Sequence, residues 1–352
     1  MNEKLRKIKR KIFDNLRLTK DDAMYLYLNC PLLELAELAN CKKEQIYKDH
    51  VFYIINQHIN YTNICILRCP MCAFSKSRND EGAYLMSIDE IISKVNKDVS
   101  EFHIVGGIND NLDLEYFTNL FSKLKTYVPN ATIKALTPVE IDFLAKKENK
   151  TYREILSVLK QYGLGMLPGG GAEIFSEKVR KIICPKKINS NTWLEIMKQA
   201  HMLGIPSNAT MLYGHIESPE DIVEHLNSIR KLQDQTKGFL AFIPLSFHPM
   251  HTKFDSLKPS TAYNDLKIIS LSRLFLDNIP HIKAYWVMLS PKLAQVSLFF
   301  GADDIDGTIK EENIFHAAGS TSSICLSEYE IQEIITSAHK TPVKRDSFYN
   351  PI

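Results

Sequence analysis

The stretch VFYIINQHINYTNICILRCPMCAF, residues 51–74, runs from an apolar, β-branched segment into three cysteines spaced C-x3-C-x2-C. VFYIIN predicts a buried strand, and Cys65, Cys69 and Cys72 fall in the loop that follows it. The same rhythm continues down the chain. EFHIVG, ATIKAL, LGMLP, SNATMLY, FLAFIPL, IKAYWVM and DDIDG predict seven more strands. Amphipathic stretches such as SIDEIISKVNKDV, LEYFTNLFSKLKTYV and PEDIVEHLNSIRKLQ lie between them as helices. Eight strand–helix units predict an α/β fold, a closed (β/α)8 TIM-like barrel. Ahead of it, DDAMYLYLNCPLLELAELAN predicts helix, giving an N-terminal helical extension over 1–48 and the barrel with a C-terminal helical segment over 49–352.

The unusual clusters fall just after strands. The cysteines follow the first, Gly106-Gly107 the second, PGGGAE the fourth, GHIE the fifth and SFHP the sixth. In a barrel these positions meet on one face, where active sites form.

Composition excludes several classes. The 352 residues are 45% hydrophobic and 24% charged, enough to build a core that needs no metal staple. With 43 basic against 41 acidic residues, the net charge of +2 gives no electrostatic case for nucleic acid. The basic start MNEKLRKIKRKIF has no apolar stretch behind it and does not read as a secretory signal. No run approaches the roughly 18 apolar residues of a membrane span. A cytoplasmic, reducing setting follows for the seven cysteines, with Cys30, Cys41, Cys184 and Cys325 expected as small buried hydrophobes.

Three clustered thiols suit an iron–sulfur cubane better than structural zinc. Zinc takes four ligands and no second C-x2-C is present; His58 is the nearest residue that could complete such a site. A [4Fe–4S] cluster held by three thiolates keeps one iron open. C-x3-C-x2-C after the first strand resembles the radical S-adenosylmethionine superfamily, with one departure: Met71 stands where that family usually has an aromatic residue. The resemblance implies one [4Fe–4S] cluster per chain on Cys65, Cys69 and Cys72, with S-adenosylmethionine as co-substrate. It also implies a reducing electron donor such as flavodoxin or ferredoxin.

The remaining clusters supply candidate binding residues. Gly106 and Gly107 let the backbone approach a ligand, and the resemblance implies that they receive the methionine amino group. Glu173, after the triple glycine, has the chemistry to accept ribose hydroxyls, and Arg180 to pair with a carboxylate. Asn208, Thr210 and Tyr213 are read as one polar face of SNATMLY, with His215 and Glu217 at the mouth. Tyr213, His215 and His248 are the catalytic candidates, His251 stands beside His248, and Lys283, Tyr285, Trp286, Asp303, Asp304 and Asp306 are expected to fill out the mouth.

The longer segments FHIVGGIND, LPGGGAEIFSEKVRKIICPKK, IPSNATMLYGHIESPEDIVEHL and FGADDIDGTI resemble the aminofutalosine synthase family of menaquinone biosynthesis. That resemblance implies addition of a 5′-deoxyadenosyl radical to 3-[(1-carboxyvinyl)oxy]benzoate, a carboxylated aryl enol ether, to give 6-amino-6-deoxyfutalosine. The rival branch is dehypoxanthine futalosine cyclase, whose sixth-strand segment tends to Trp and Gln where Leu245 and His248 stand here. A non-catalytic iron–sulfur or zinc protein is the alternative from another class.

Overall fold

A computed structural model describes residues 3–310 and 312–352; Met1, Asn2 and Glu311 lie outside the described residues. Its strands are β1 (His50–Ile54), β2 (Asn56–Ile59), β3 (Glu101–Ile104), β4 (Thr132–Ala135), β5 (Leu164–Met166), β6 (Ser207–Tyr213), β7 (Phe239–Ser246), β8 (His281–Ile282), β9 (Asp304–Gly307) and β10 (Thr341–Lys344). Every ladder between them is parallel. β2 to β5 form one run and β6 to β8 another. Single bridges, Leu167 to Ser207 and Lys283 to Asp304, join these runs and β9. β9 pairs in turn with β1, closing the ring.

Helices return the chain between the strands, and side-chain caps start many of them. Ser218 Oγ accepts the Asp221 N–H while the Asp221 side chain accepts the Ser218 N–H, with Pro219 at the first helical position of Pro219–Thr236. Three helices precede the barrel, and Leu32–Tyr47 packs along Ala262–Phe275.

The eight-strand reading needs three adjustments. The first strand bends at Ile55 because its two halves have different partners: β1 lies between β10 and β9, whereas β2 continues to β3. IKAYWVM contributes only Ile282 to β8, since Trp286 turns into the short helix Trp286–Leu289 with its indole N–H donating to the Gly307 carbonyl at 2.9 Å. The C-terminal segment holds the helix Glu328–Thr336 but ends in β10, a short edge strand carrying Pro342.

Parallel register sets a polar row across the inside of the barrel. His58 pairs with His103 and His103 with Lys134. Glu101, one rung below, forms an ion pair with Lys134, both buried. Across the ring Lys283 meets Asp306 at 3.1 Å and Arg345 meets Asp304 at 2.7 Å.

Candidate active site

A cavity of about 270 Å³ opens at the C-terminal ends of the strands, and Cys65, Cys69 and Cys72 all line it. Their loop is held from several directions. The Ile66 N–H donates to Ile108 O at 2.9 Å, Cys65 N–H to Lys76 O at 3.0 Å, and Lys253 N–H to Pro70 O at 2.9 Å. Met71 also lines the cavity, with its N–H on Ile183 O at 3.3 Å. Burial pushes the Cys69 thiol up to about 12, against a smaller opposing pull from Lys187.

Gly106 and Gly107 line the same cavity, and packing within the protein already demands them. A Cβ at Gly106 would lie 2.7 Å from the Tyr61 ring, and one at Gly107 would lie 2.3 Å from Ile64 O. Tyr61 donates its hydroxyl to Glu140 at 2.6 Å, and the Glu140 carboxylate also accepts the Gly106 N–H at 3.4 Å. The glycine pair is thus the surface against which the segment before the cysteines rests.

The turn after β5 brings Glu173 to the cavity with φ of +48°. Gly169, at φ +90°, passes so close to Asn208 that a Cβ there would lie 2.4 Å from the Asn208 carbonyl oxygen. Trp193 Nε1 holds Gly170 O at 3.1 Å. Glu173 forms an ion pair with Lys187 at 2.5 Å. Burial works against the Lys187 ammonium, yet Glu173 and then Cys69 outweigh it and hold its pKa above the ordinary value. His225 locks the turn from behind. Its Nδ1 accepts the Phe175 N–H at 3.2 Å, so the proton sits on Nε2, which donates to Thr210 O at 2.9 Å. Burial holds this ring down to about 3, neutral at physiological pH.

Several expected site residues lie elsewhere. Arg180 is buried, with its guanidinium on the carbonyls of Ala172, Ile174 and Ile188; it clamps the loop and does not line the cavity. Thr210 lines the cavity and donates to Gly169 O at 2.9 Å. Asn208 is buried outside the lining, its Oδ1 without a partner. Tyr213 is an odd-numbered position on a strand whose cavity-facing residues, Thr210 and Leu212, are even, so it faces the other way. There it donates to Asp265 at 2.9 Å. His215 is folded into its own turn against Glu217 and Leu212 O, and likewise does not line the cavity. Among the catalytic candidates His248 does line it, donating Nε2–H to Met288 O at 3.0 Å. His251 does not.

Of the C-terminal group, Asp306 and Tyr285 line the cavity. Asp303 is turned to Arg273 and His281, Asp304 to Arg345, and Lys283 to Asp306. Cys30 and Cys184 are buried, Cys41 is half-buried, and Cys325 is exposed, contrary to the expectation of four buried thiols, because it lies in a surface segment ahead of the last helix. Lys187, His58, His103 and Glu312, with Ser75 and Thr137, complete the polar lining. The two histidines carried a signal, since NQHI and EFHI place them at equivalent strand positions; Lys187, beside Lys186 in a loop, carried none.

The donor set fits a polynuclear cluster. Three thiols share one cavity on a loop fixed by backbone hydrogen bonds.

Residues 59–229 match the Radical SAM superfamily, and residues 236–352 match the CofH/MqnC C-terminal region. Aminodeoxyfutalosine synthase of Thermus thermophilus is 40% identical, over 98% of this chain and 95% of that protein. The chain belongs to the radical S-adenosylmethionine superfamily. As a radical S-adenosylmethionine enzyme it uses a [4Fe–4S] cluster and S-adenosylmethionine. A second relative, 5-amino-6-(D-ribitylamino)uracil–L-tyrosine 4-hydroxyphenyl transferase of Methanococcoides burtonii, is 38% identical over 95% of this chain and 96% of its own. Methylornithine synthase (PylB) shares the fold at 15% identity, with a TM-score of 0.76 over 95% of this chain and 97% of that one. The [FeFe]-hydrogenase maturase HydG does so at 16% identity, with a TM-score of 0.78 over 97% and 76%. Among the described residues no helix is long and apolar enough to cross a membrane.

Proposed function

We propose that this enzyme is an aminodeoxyfutalosine synthase of menaquinone biosynthesis, working in the cytoplasm. The observation that carries the reading is its 40% identity to the Thermus thermophilus enzyme along almost the whole of both chains. When bound, the cluster and S-adenosylmethionine would supply a 5′-deoxyadenosyl radical that adds to the enol-ether double bond of 3-[(1-carboxyvinyl)oxy]benzoate, giving 6-amino-6-deoxyfutalosine. Cys65, Cys69 and Cys72 would hold the cluster. Gly106, Gly107, Thr210 and the Glu173–Lys187 pair would hold S-adenosylmethionine, while Arg180 fixes the shape of the loop that presents Glu173. Leu67, Phe74, Ile243, Leu245 and Phe247 in the lining exclude water from a carbon radical.

The transferase named for the archaeal relatives is the second reading, favoured by a comparable identity. Its lining argument is electrostatic: Glu173, Asp306 and Glu312 face the cavity against one cation, Lys187, which suits a hydroxyl-rich substrate. The experiment that separates them uses anaerobically reconstituted protein with dithionite or reduced flavodoxin. Aminodeoxyfutalosine formed from the enol ether supports the synthase. A product formed only from L-tyrosine and the ribitylaminouracil overturns it in favour of the transferase. In the same assay Cys69→Ala abolishes iron loading while leaving the circular dichroism spectrum native.

A further inference from the structure

Three stretches of chain meet where the cysteine loop reaches the surface. Residues 65–78 are the loop itself. Residues 181–187 touch it where the Met71 N–H donates to Ile183 O at 3.3 Å, and residues 250–254 where the Lys253 N–H donates to Pro70 O at 2.9 Å. The loop carries Arg68, Lys76 and Arg78, the second stretch Lys181, Lys186 and Lys187, and the third Lys253; none of the three holds an Asp or Glu. In a chain whose net charge is only +2, that is a local concentration of one sign.

Neighbouring carboxylates neutralise only part of it. Arg68 pairs with Asp80 at 3.3 Å, Arg78 with Asp110 at 2.7 Å and Lys187 with Glu173 at 2.5 Å. Among the described residues Lys76, Lys181, Lys186 and Lys253 form no ion pair, and the last three are exposed. Of the flanking carboxylates, Glu177 accepts the Ser190 N–H at 2.8 Å, and Asp255 stands at the edge. Each stretch also presents one large apolar side chain to solvent: Ile66 is 44% exposed, Ile182 53% and Met250 53%. Apolar surface rimmed by unpaired charge of one sign marks a protein-binding face. Cys69 is buried while Ile66 and Arg68 of the same loop are exposed, so the loop itself partitions the thiols from solvent.

We propose that this patch is the docking surface for an acidic flavoprotein that delivers single electrons to the cluster. Each reductive cleavage of a sulfonium bond consumes one electron, and the shortest way in crosses the outer side of the cysteine loop. The carrier's reduced flavin loses one electron and the cluster gains it, passing from the 2+ to the 1+ state; no atom is exchanged. The lysines meet the carrier's carboxylates, and Ile66, Ile182 and Met250 offer the apolar dimethylbenzene edge of a flavin a dry seat. The inference needs the cluster and S-adenosylmethionine but not the synthase reading.

The test mixes reconstituted enzyme with flavodoxin, an acidic flavoprotein, and reads two quantities: Kd by calorimetry and the rate of cluster reduction by electron paramagnetic resonance. In the wild type both weaken as salt rises. Lys186→Glu/Lys253→Glu, one change on each stretch beside the loop, weakens binding and slows reduction by flavodoxin at least about tenfold. Its cluster is reduced at the wild-type rate by photoreduced deazariboflavin, a small uncharged reductant that needs no docking. Lys231→Glu/Lys237→Glu makes the same change in net charge at the opposite end of the barrel, where the helix Pro219–Thr236 leads into β7, and leaves both readings unchanged. All four lysines are exposed, so both variants fold. An unchanged Kd in the first variant, equal losses in the two variants, or equal slowing with both reductants overturns the docking surface. Reduction by ferredoxin but not by flavodoxin overturns the flavin assignment. No enol ether, tyrosine or ribitylaminouracil enters the assay, so failure of the synthase reading leaves its outcome untouched.

Discussion

Gly107 is where the cysteine loop is most easily broken by one atom. A Cβ there meets Ile64 O at 2.3 Å and Cys65 Cβ at 3.0 Å, and neither neighbour is a flexible side-chain tip. Overpacking of this kind costs about 1–3 kcal/mol, which the structure can relieve only by moving the segment that carries Cys65. Gly107→Ala is expected to fold, with its melting temperature lowered by a few degrees (about 1–2 °C per kcal/mol for a chain this long), and to hold less than half the wild-type iron per chain after reconstitution. Full iron loading at wild-type stability contradicts the packing account. At this scale the sequence was legible where spacing alone carries the chemistry: Cys65, Cys69, Cys72 and the glycine pair all meet at one cavity. It misled where the decision needed side-chain direction. Tyr213 differs in parity from Thr210 and so leaves the cavity, and the charge facing Glu173 comes from Lys187, with Arg180 tied to three carbonyls.

The turn between β5 and the helix Glu177–Ile183 owes its shape to a different helix. His225, on Pro219–Thr236, takes the Phe175 N–H and gives its own proton to Thr210 O, with its ring stacked 4.1 Å from Phe175. His225→Ala strands one buried donor and one buried acceptor, each costing about 1–3 kcal/mol, and frees the residues that present Glu173. The expected result is a denaturation midpoint lowered by that amount together with a severalfold weaker S-adenosylmethionine affinity, read from the cluster's electron paramagnetic resonance signal during titration. Lost stability with unchanged affinity would confine His225 to packing. Alternation of strand and helix was readable along the chain because each unit has its own periodicity. The bend at Ile55 and the edge strand β10 were not, because partners more than 200 residues away decide them, and the helix inside IKAYWVM was not, because the Gly307 carbonyl that holds Trp286 lies in another strand.

The C-terminal segment is tied to the barrel by buried charge. Arg345, just past β10, reaches Asp304 of β9 at 2.7 Å, and both are buried. Arg345→Met leaves that carboxylate with Lys283 4.0 Å away as its nearest cation. Breaking such a pair from one side costs about 3–5 kcal/mol, so a urea midpoint shifted by less than 1 kcal/mol would mean that the C-terminal segment is not a structural part of the ring. The interior also sets how the molecule responds to acid. Burial holds His201 at about 4 and His225 at about 3, and lowers His58 and His103 as well. Each folded-state value lies below the unfolded one, so the unfolded chain binds more protons below pH 6.5. Stability is then complete above pH 6.5 and falls with pH towards 4 and 3. His316, raised to about 9 chiefly by its bond to Glu312, has the opposite sign: its contribution is complete below pH 6.5 and fades as pH rises through 9. Between pH 7 and 5 His201 and His225 each withdraw roughly 2 kcal/mol, well before the carboxylates titrate. Equilibrium urea titrations should therefore show a steep loss across that interval, smaller by one histidine's share in a stable His201→Gln variant. A flat profile down to pH 5 would mean that these rings are protonated in the fold, and the neutral interior that the site is built on would have to be abandoned.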